Sequence, residues 1–224
     1  MGNYHHIVNG RASDLPLGKV VCVGRNYAAH AKELNNPVPT EPVLFIKPST
    51  SLVKLEEPLA IPSHLGECHF EAEMSILIGQ SLSNCNHEQA SEAIAGIGLA
   101  LDLTLRELQQ ELKEKGLPWE KAKSFDGSCP VSGFVPISQG TNLQDQQILL
   151  LQNQQIKQNG NTEDMITSVL ALLSYISQFF TLLPGDIVLT GTPAGVGPLK
   201  PGDQLSLSLS DSIHCITEVG SSAG

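Results

Sequence analysis

With 224 residues, 41% of them apolar, the chain is long enough to bury one substantial core and has the make-up of an ordinary globular protein. Its formal charge of −10 argues against nucleic acid and anionic membrane surfaces as partners, because both need a basic face. An anionic small molecule stays open, since a bound metal or a few lysines reverse the sign of a single cleft.

The opening MGNYHHIVNG has neither the apolar core of a signal peptide nor the Ser or Thr at position six of a myristoylation site. Five scattered cysteines with no Cys-x-x-Cys pair read as reduced thiols in a cytoplasmic protein. KVVCVG (19–24) is a β-branched run closed by glycine and predicts a short strand. NYAAHAKEL has helical composition and meets Asn35, Asn36 and Pro37, which stop helices. EPVLFIKP, bracketed by prolines, predicts a strand, as do FEAEMSILIG and AIAGIGLALDLT, with a helix over EQASEAI between the last two.

LTLRELQQELKEKG predicts an amphipathic helix ended by Gly116 and Pro118. QILLLQNQQIKQNG predicts a hairpin that closes with an Asn-Gly turn. The charge-free run 165–183 is long enough to span a membrane. Thr167, Ser174, Gln178 and Thr181 nevertheless make a polar stripe, so we read a largely buried helix, part of it at a subunit contact. In 183–210, two Pro-Gly-Asp turns punctuate two strands and a glycine-rich loop. Strands and helices do not alternate regularly. An α+β fold with a mixed, rolled or barrel-like sheet follows, as one domain over 1–224 whose first forty or so residues form a small N-terminal piece.

Glu71 and Glu73 stand two apart at the head of an apolar strand, so their carboxylates share a face and repel. Two exposed acids at a strand edge would account for that pair. Asp102, inside GLALDLT, is different: a lone carboxylate among apolar neighbours is costly to bury. One divalent cation resolves both difficulties, and a set of oxygen donors suits Mg²⁺ or Mn²⁺ before Zn²⁺. His30 and Glu33 share a helix face, which makes His30 a candidate general base, or the two are an incidental surface pair. Arg106 and Gln109 lie four and seven residues beyond Asp102 on one helix face, whereas Glu107, Glu111, Lys113 and Glu114 are expected on the solvated side. Lys47 ends an apolar strand, where its cation could point into a cleft, and Lys123 lies in a charged loop. LTGTPAGVGP lacks the Gly-Lys-Ser/Thr ending of a phosphate loop. It can still offer backbone N–H groups and the Thr192 hydroxyl to a small carboxylate.

Taken together, GRNYAAHAKEL, EPVLFIKPST, FEAEMSILIG, ALDLTLRELQ, KGLPWEKAKSFDGSCPVSGF and GDIVLTGTPAGVGP resemble the fumarylacetoacetate hydrolase family over most of the chain. Phe70 fits the family's usual aromatic or histidine before the first glutamate, and the short single-domain acylpyruvase and oxaloacetate decarboxylase subgroup is the nearest in look. The resemblance implies a mixed β-roll, a homodimer, and Mg²⁺ or Mn²⁺ on Glu71, Glu73 and Asp102. It also implies that His30 and Glu33 are a water-activating dyad, that Lys123, Arg106 and Gln109 face the reacting carbonyl or carboxylate, and that Thr192 meets another carboxylate. Arg25 and Lys47 complete the substrate-binding candidates. The implied activity is Mg²⁺-dependent cleavage of acylpyruvates, with decarboxylation or tautomerisation of oxaloacetate open at the same site. The alternatives are an isomerase or decarboxylase of 2-hydroxyhepta-2,4-dienedioate-type acids, and a metal-dependent binding protein for 2-oxo acids without turnover.

Overall fold

The computed structural model describes residues 4–34, 37–138 and 141–220. A two-residue pairing opens it, β1 (Ile7–Val8) on β2 (Arg11–Ala12). KVVCVG gives β3 (Val20–Gly24), NYAAHAKEL gives α1 (Ala28–Glu33), and VLFIK gives β4 (Val43–Lys47). The expected stop residues Asn35 and Asn36 lie outside the described residues. β5 (Leu52–Lys54) follows. FEAEMSILIG then forms the end of β6 (Cys68–Phe70) and all of β7 (Ala72–Ile78), with Glu71 at the break between them.

Asn86 and Gln89 form a reciprocal cap that starts α2 (His87–Glu92), ahead of β8 (Ile94–Leu101). β9 (Thr104–Leu105) runs straight into α3 (Arg106–Glu114), and α4 (Glu120–Lys123) precedes β10 (Cys129–Val131). β11 (Gln147–Gln152) and β12 (Gln155–Asn161) make a hairpin, and α5 covers Val169–Phe179. The chain finishes with β13 (Ile187–Leu189), β14 (Gly197–Pro198), β15 (Gln204–Leu209) and β16 (Ile213–Glu218).

Seven strands share one mixed sheet in the order β4-β3-β13-β7-β8-β10-β5, and only the β3–β13 and β5–β10 pairs are parallel. The fold is mixed α+β, and this sheet curls into a half-barrel as the sequence led us to expect. β7 is buried along its whole length because both its faces are covered. On one side Met74, Ile76 and Ile78 meet Ile148, Leu150, Leu205, Leu207 and Leu209 of an antiparallel four-stranded sheet, β12-β11-β15-β16. On the other, Leu77 joins Val20, Cys22, Ile187 and Leu189. Each such aliphatic side chain contributes about 1.5–3 kcal/mol by leaving water. Cys22, Cys68, Cys85, Cys129 and Cys215 are buried free thiols.

Two local expectations need correction. The hairpin turns at Asn153-Gln154, both with positive φ (52° and 66°), and not at Asn159-Gly160. Gly160 lies inside β12 opposite Ile148, and its missing side chain lets Pro193 pass, since a Cβ there would be 2.5 Å from the proline Cβ. The 165–183 run is not one helix. Asn26 captures its start, accepting from Thr167 N–H through Oδ1 (2.8 Å) and from Ile166 N–H through the backbone carbonyl (2.8 Å). Leu182 pairs with Leu82 at its end. Of the expected polar stripe, only Ser174 and Gln178 lie on α5. Among the described residues no helix is long and apolar enough to cross a membrane.

Candidate active site

The break at Glu71 brings three acids together. Glu71 follows β6, Glu73 is the second residue of β7, and Asp102 leaves the end of the paired strand β8, its N–H donating to the Glu71 carbonyl (2.9 Å). All three are buried, with ligand oxygens within 4.8 Å of one another. The chain's own cations lean on this cluster. Lys123, at the end of α4, donates to Glu71 Oε2 (2.8 Å) and Asp102 Oδ2 (2.6 Å), and Arg106 donates to Glu71 Oε1. Burial alone would raise the Glu71 carboxyl, but Lys123 and Arg106 outweigh it and hold it well below the usual carboxylate range. Glu73 goes the other way: burial, then the Asp102 and Glu71 charges, push it well above that range, against the Gly191 N–H that donates to its Oε2 (2.6 Å). For Lys123, burial is outweighed by Asp102 and Glu71, and its ammonium is stabilised.

The donor chemistry fits a hard divalent cation. Three oxygen-only ligands converge, and the mutual repulsion that raises the Glu73 carboxyl is what a bound cation would relieve.

His30 lines the same cleft from α1, with Nδ1 3.3 Å from Glu33 Oε2. Glu33 is held from behind by the Gly195 N–H (3.0 Å to Oε1). Arg106 and Gln109 sit on one face of α3 as their spacing predicts, joined by an Nη1–Oε1 bond of 2.8 Å. Arg25 reaches the cleft from a left-handed backbone (φ 63°), a conformation that costs a non-glycine residue about 1–2 kcal/mol.

Lys47 is not where the sequence reading put it. It does not line the cleft; it is fully buried behind Asp102, with Nζ 2.9 Å from Oδ1 in an ion pair. The same Nζ donates to the Ser128 carbonyl (3.1 Å) and hydroxyl (3.2 Å) and to the Lys123 carbonyl. Lys47→Met therefore breaks a buried ion pair at Asp102 Oδ1, while the Lys123 and Ser128 carbonyls keep the Ser128 hydroxyl and the Leu103 N–H, and urea denaturation should show a loss of about 3–5 kcal/mol. Thr192 does line the cleft, but its hydroxyl hydrogen goes to the Ala72 carbonyl (2.8 Å). The N–H groups of Gly191 and Gly195, read as an anion cradle, serve Glu73 and Glu33 instead.

Lys113, expected on the solvated side of α3, also lines the cleft. Its position seven residues after Arg106 was the available signal. Burial, followed by the charges of Arg25 and Arg106, lowers its ammonium pKa. Glu107, Glu111 and Glu114 are exposed as expected.

A curled mixed sheet thus carries a buried acid triad able to hold a metal ion, and His30, bonded to Glu33, lines the cleft on which Glu71 and Glu73 open. The chain belongs to the fumarylacetoacetate hydrolase family: the model of the fumarylacetoacetate (FAA) hydrolase C-terminal domain matches residues 19–220. It is 53% identical over 205 residues to the oxaloacetate tautomerase YcgM of Escherichia coli, covering 91% of this chain and 94% of that one. The mitochondrial oxaloacetate decarboxylase of Dictyostelium discoideum is 44% identical over 192 residues, 85% of this chain and 88% of that one. A solved fumarylpyruvate hydrolase from Pseudomonas aeruginosa, in complex with Mn²⁺ and pyruvate, superposes with a TM-score of 0.91 at 36% identity, covering 97% of this chain and 95% of that one.

Proposed function

We propose that the chain is a divalent-cation-dependent enzyme of small 2-oxo acids, with keto–enol exchange of oxaloacetate as its reaction. One observation carries this reading: Glu71, Glu73 and His30 line one cleft that Arg25 and Arg106 make cationic, with Asp102 clustered against the two glutamates and Glu33 bonded to His30. Similarity over nearly the full length to an oxaloacetate tautomerase supports the choice of substrate.

Glu71, Glu73 and Asp102 would hold Mg²⁺ or Mn²⁺, which when bound supplies Lewis acidity to a 2-oxo group. Arg106, oriented by Gln109, and Arg25 attract and orient the substrate carboxylates. Glu33 engages His30 Nδ1, leaving Nε2 to move the proton. In the enol-to-keto direction the enol O–H is lost and a C–H forms at C3, so His30 as the base would take one proton and return one. If a carboxylate instead leaves as CO₂, the same C3 position takes up a proton, which accounts for decarboxylation at the same site.

A second reading, hydrolysis of a 2,4-dioxo acid, is favoured by the close superposition on a fumarylpyruvate hydrolase. There His30 would deprotonate a water that attacks the far carbonyl. The test is decay of the enol absorbance of oxaloacetate, and in parallel pyruvate release from acetylpyruvate, with Mn²⁺ and with EDTA. Enol decay that is accelerated by protein plus Mn²⁺ and abolished by EDTA supports the tautomerase. Pyruvate release with unaccelerated enol decay selects the hydrolase, and Mn²⁺ binding with neither reaction selects a 2-oxo acid binding protein.

A further inference from the structure

Gln158 lies on β12, an edge strand whose other side chains are exposed or half-buried, yet it is fully buried. Next to the hairpin turn the pairing is regular, with Gln152 opposite Gln155 and Leu151 opposite Ile156. One further step would set Lys157 against Leu150, whose side chain is in the core. Instead the register shifts, Leu150 faces Gln158, and Lys157 becomes the extra residue of a β-bulge. The bulge keeps a lysine out of the core and delivers an amide in its place.

That amide spans the gap between the two sheets. Its Oε1 accepts the Ala72 N–H (2.9 Å), while its Nε2 donates to Thr192 Oγ1 (2.7 Å) and to the Pro193 carbonyl (2.8 Å). Thr192 Oγ1 in turn donates to the Ala72 carbonyl (2.8 Å). Both backbone groups of the residue between Glu71 and Glu73 are therefore bound by these two side chains. The bulge also places the Lys157 carbonyl against Gly195 (φ 102°), where a Cβ would run into it, and Gly195 is the residue whose N–H holds Glu33.

We infer that Gln158 is a positioning residue of the site, fixing through Ala72 and Thr192 the directions in which Glu71 and Glu73 present their carboxylates to a divalent cation. The inference rests on the reading of the acid triad as a cation site. Groups that orient ligands in this way typically change metal affinity 10–100-fold when removed. Gln158→Met keeps the length and removes all three bonds. Gln158→Glu keeps an acceptor for the Ala72 N–H but sets a carboxylate against the Pro193 carbonyl.

The test titrates the full-length chain with Mn²⁺ in the absence of substrate, following free Mn²⁺ by electron paramagnetic resonance, with circular dichroism to establish folding. We expect the Kd to rise about tenfold in Gln158→Met and measurably in Gln158→Glu, which carries the test if the methionine variant does not fold. Adding Thr192→Val to either variant should cost little more, because the two side chains act as one clamp. An unchanged Kd in a folded variant, even with a lowered Tm, overturns the inference and leaves Gln158 a structural amide. If the wild type fails to bind Mn²⁺, or Glu73→Gln binds it as well as wild type, the cation reading falls and this inference with it.

Discussion

Glu73→Gln is expected to lower cation-supported turnover of oxaloacetate enol by about 10³-fold, the scale of several kcal/mol of Lewis-acid stabilisation. The same change should leave the cation-free protein at least as stable as wild type. Burial, Asp102 and Glu71 raise the folded Glu73 carboxyl well above its ordinary value of 4.5. An unfolded chain releases that proton near 4.5, so across the window from there up to the raised value the native state holds a proton the unfolded state has lost. Stability of the cation-free wild type therefore falls as pH rises through this window. Glutamine cannot ionise, and its carbonyl can still accept the Gly191 N–H, so the variant lacks that slope. Saturating Mn²⁺ should reverse the order: wild type gains about 2.7 kcal/mol at a hundredfold excess over Kd, and the variant much less. Urea denaturation at several pH values, with EDTA and with Mn²⁺, measures all of this. Equal stabilisation of both proteins by Mn²⁺ would overturn the reading of the acid triad as the cation site.

The acid triad was legible because its signal is local. Glu71 and Glu73 sit at side-chain period two, and Asp102 ends an otherwise apolar run, so electrostatics alone asks for a compensating charge. His30 with Glu33, and Arg106 with Gln109, were legible through helical spacing, and that spacing extends to Lys113. Lys47 was not legible. A lysine at a strand end can turn to either face, and the groups that bury it come from Asp102, Lys123 and Ser128, far along the chain. The length of α5 escaped for the same reason: hydropathy sees a continuous apolar run, while Asn26, 141 residues away, captures the backbone of Thr167. Gln158 lay deepest, because its burial depends on a one-residue slip in a ladder whose polar sequence reads as solvent-facing throughout.

His30→Ala should separate proton transfer from cation binding. We expect kcat for enol decay to fall by about 10²–10⁴-fold, the usual contribution of a positioned base, while Mn²⁺ affinity stays near the wild-type value. The separation follows from the layout, because His30 reaches the cleft from α1 and is outside the group of three ligand oxygens. Glu33→Gln keeps a hydrogen-bond acceptor for Nδ1 and for the Gly195 N–H and so keeps the ring's orientation, and a smaller fall, about tenfold, is expected. Glu33→Ala loses both contacts and should approach the His30→Ala rate. If His30→Ala instead weakened Mn²⁺ binding as strongly as Glu73→Gln does, the imidazole would belong to the cation site. If it left both enol decay and pyruvate release at the wild-type rate, the proton would have to move through another group, and Lys123, bonded to two of the three acids, would be the first to test.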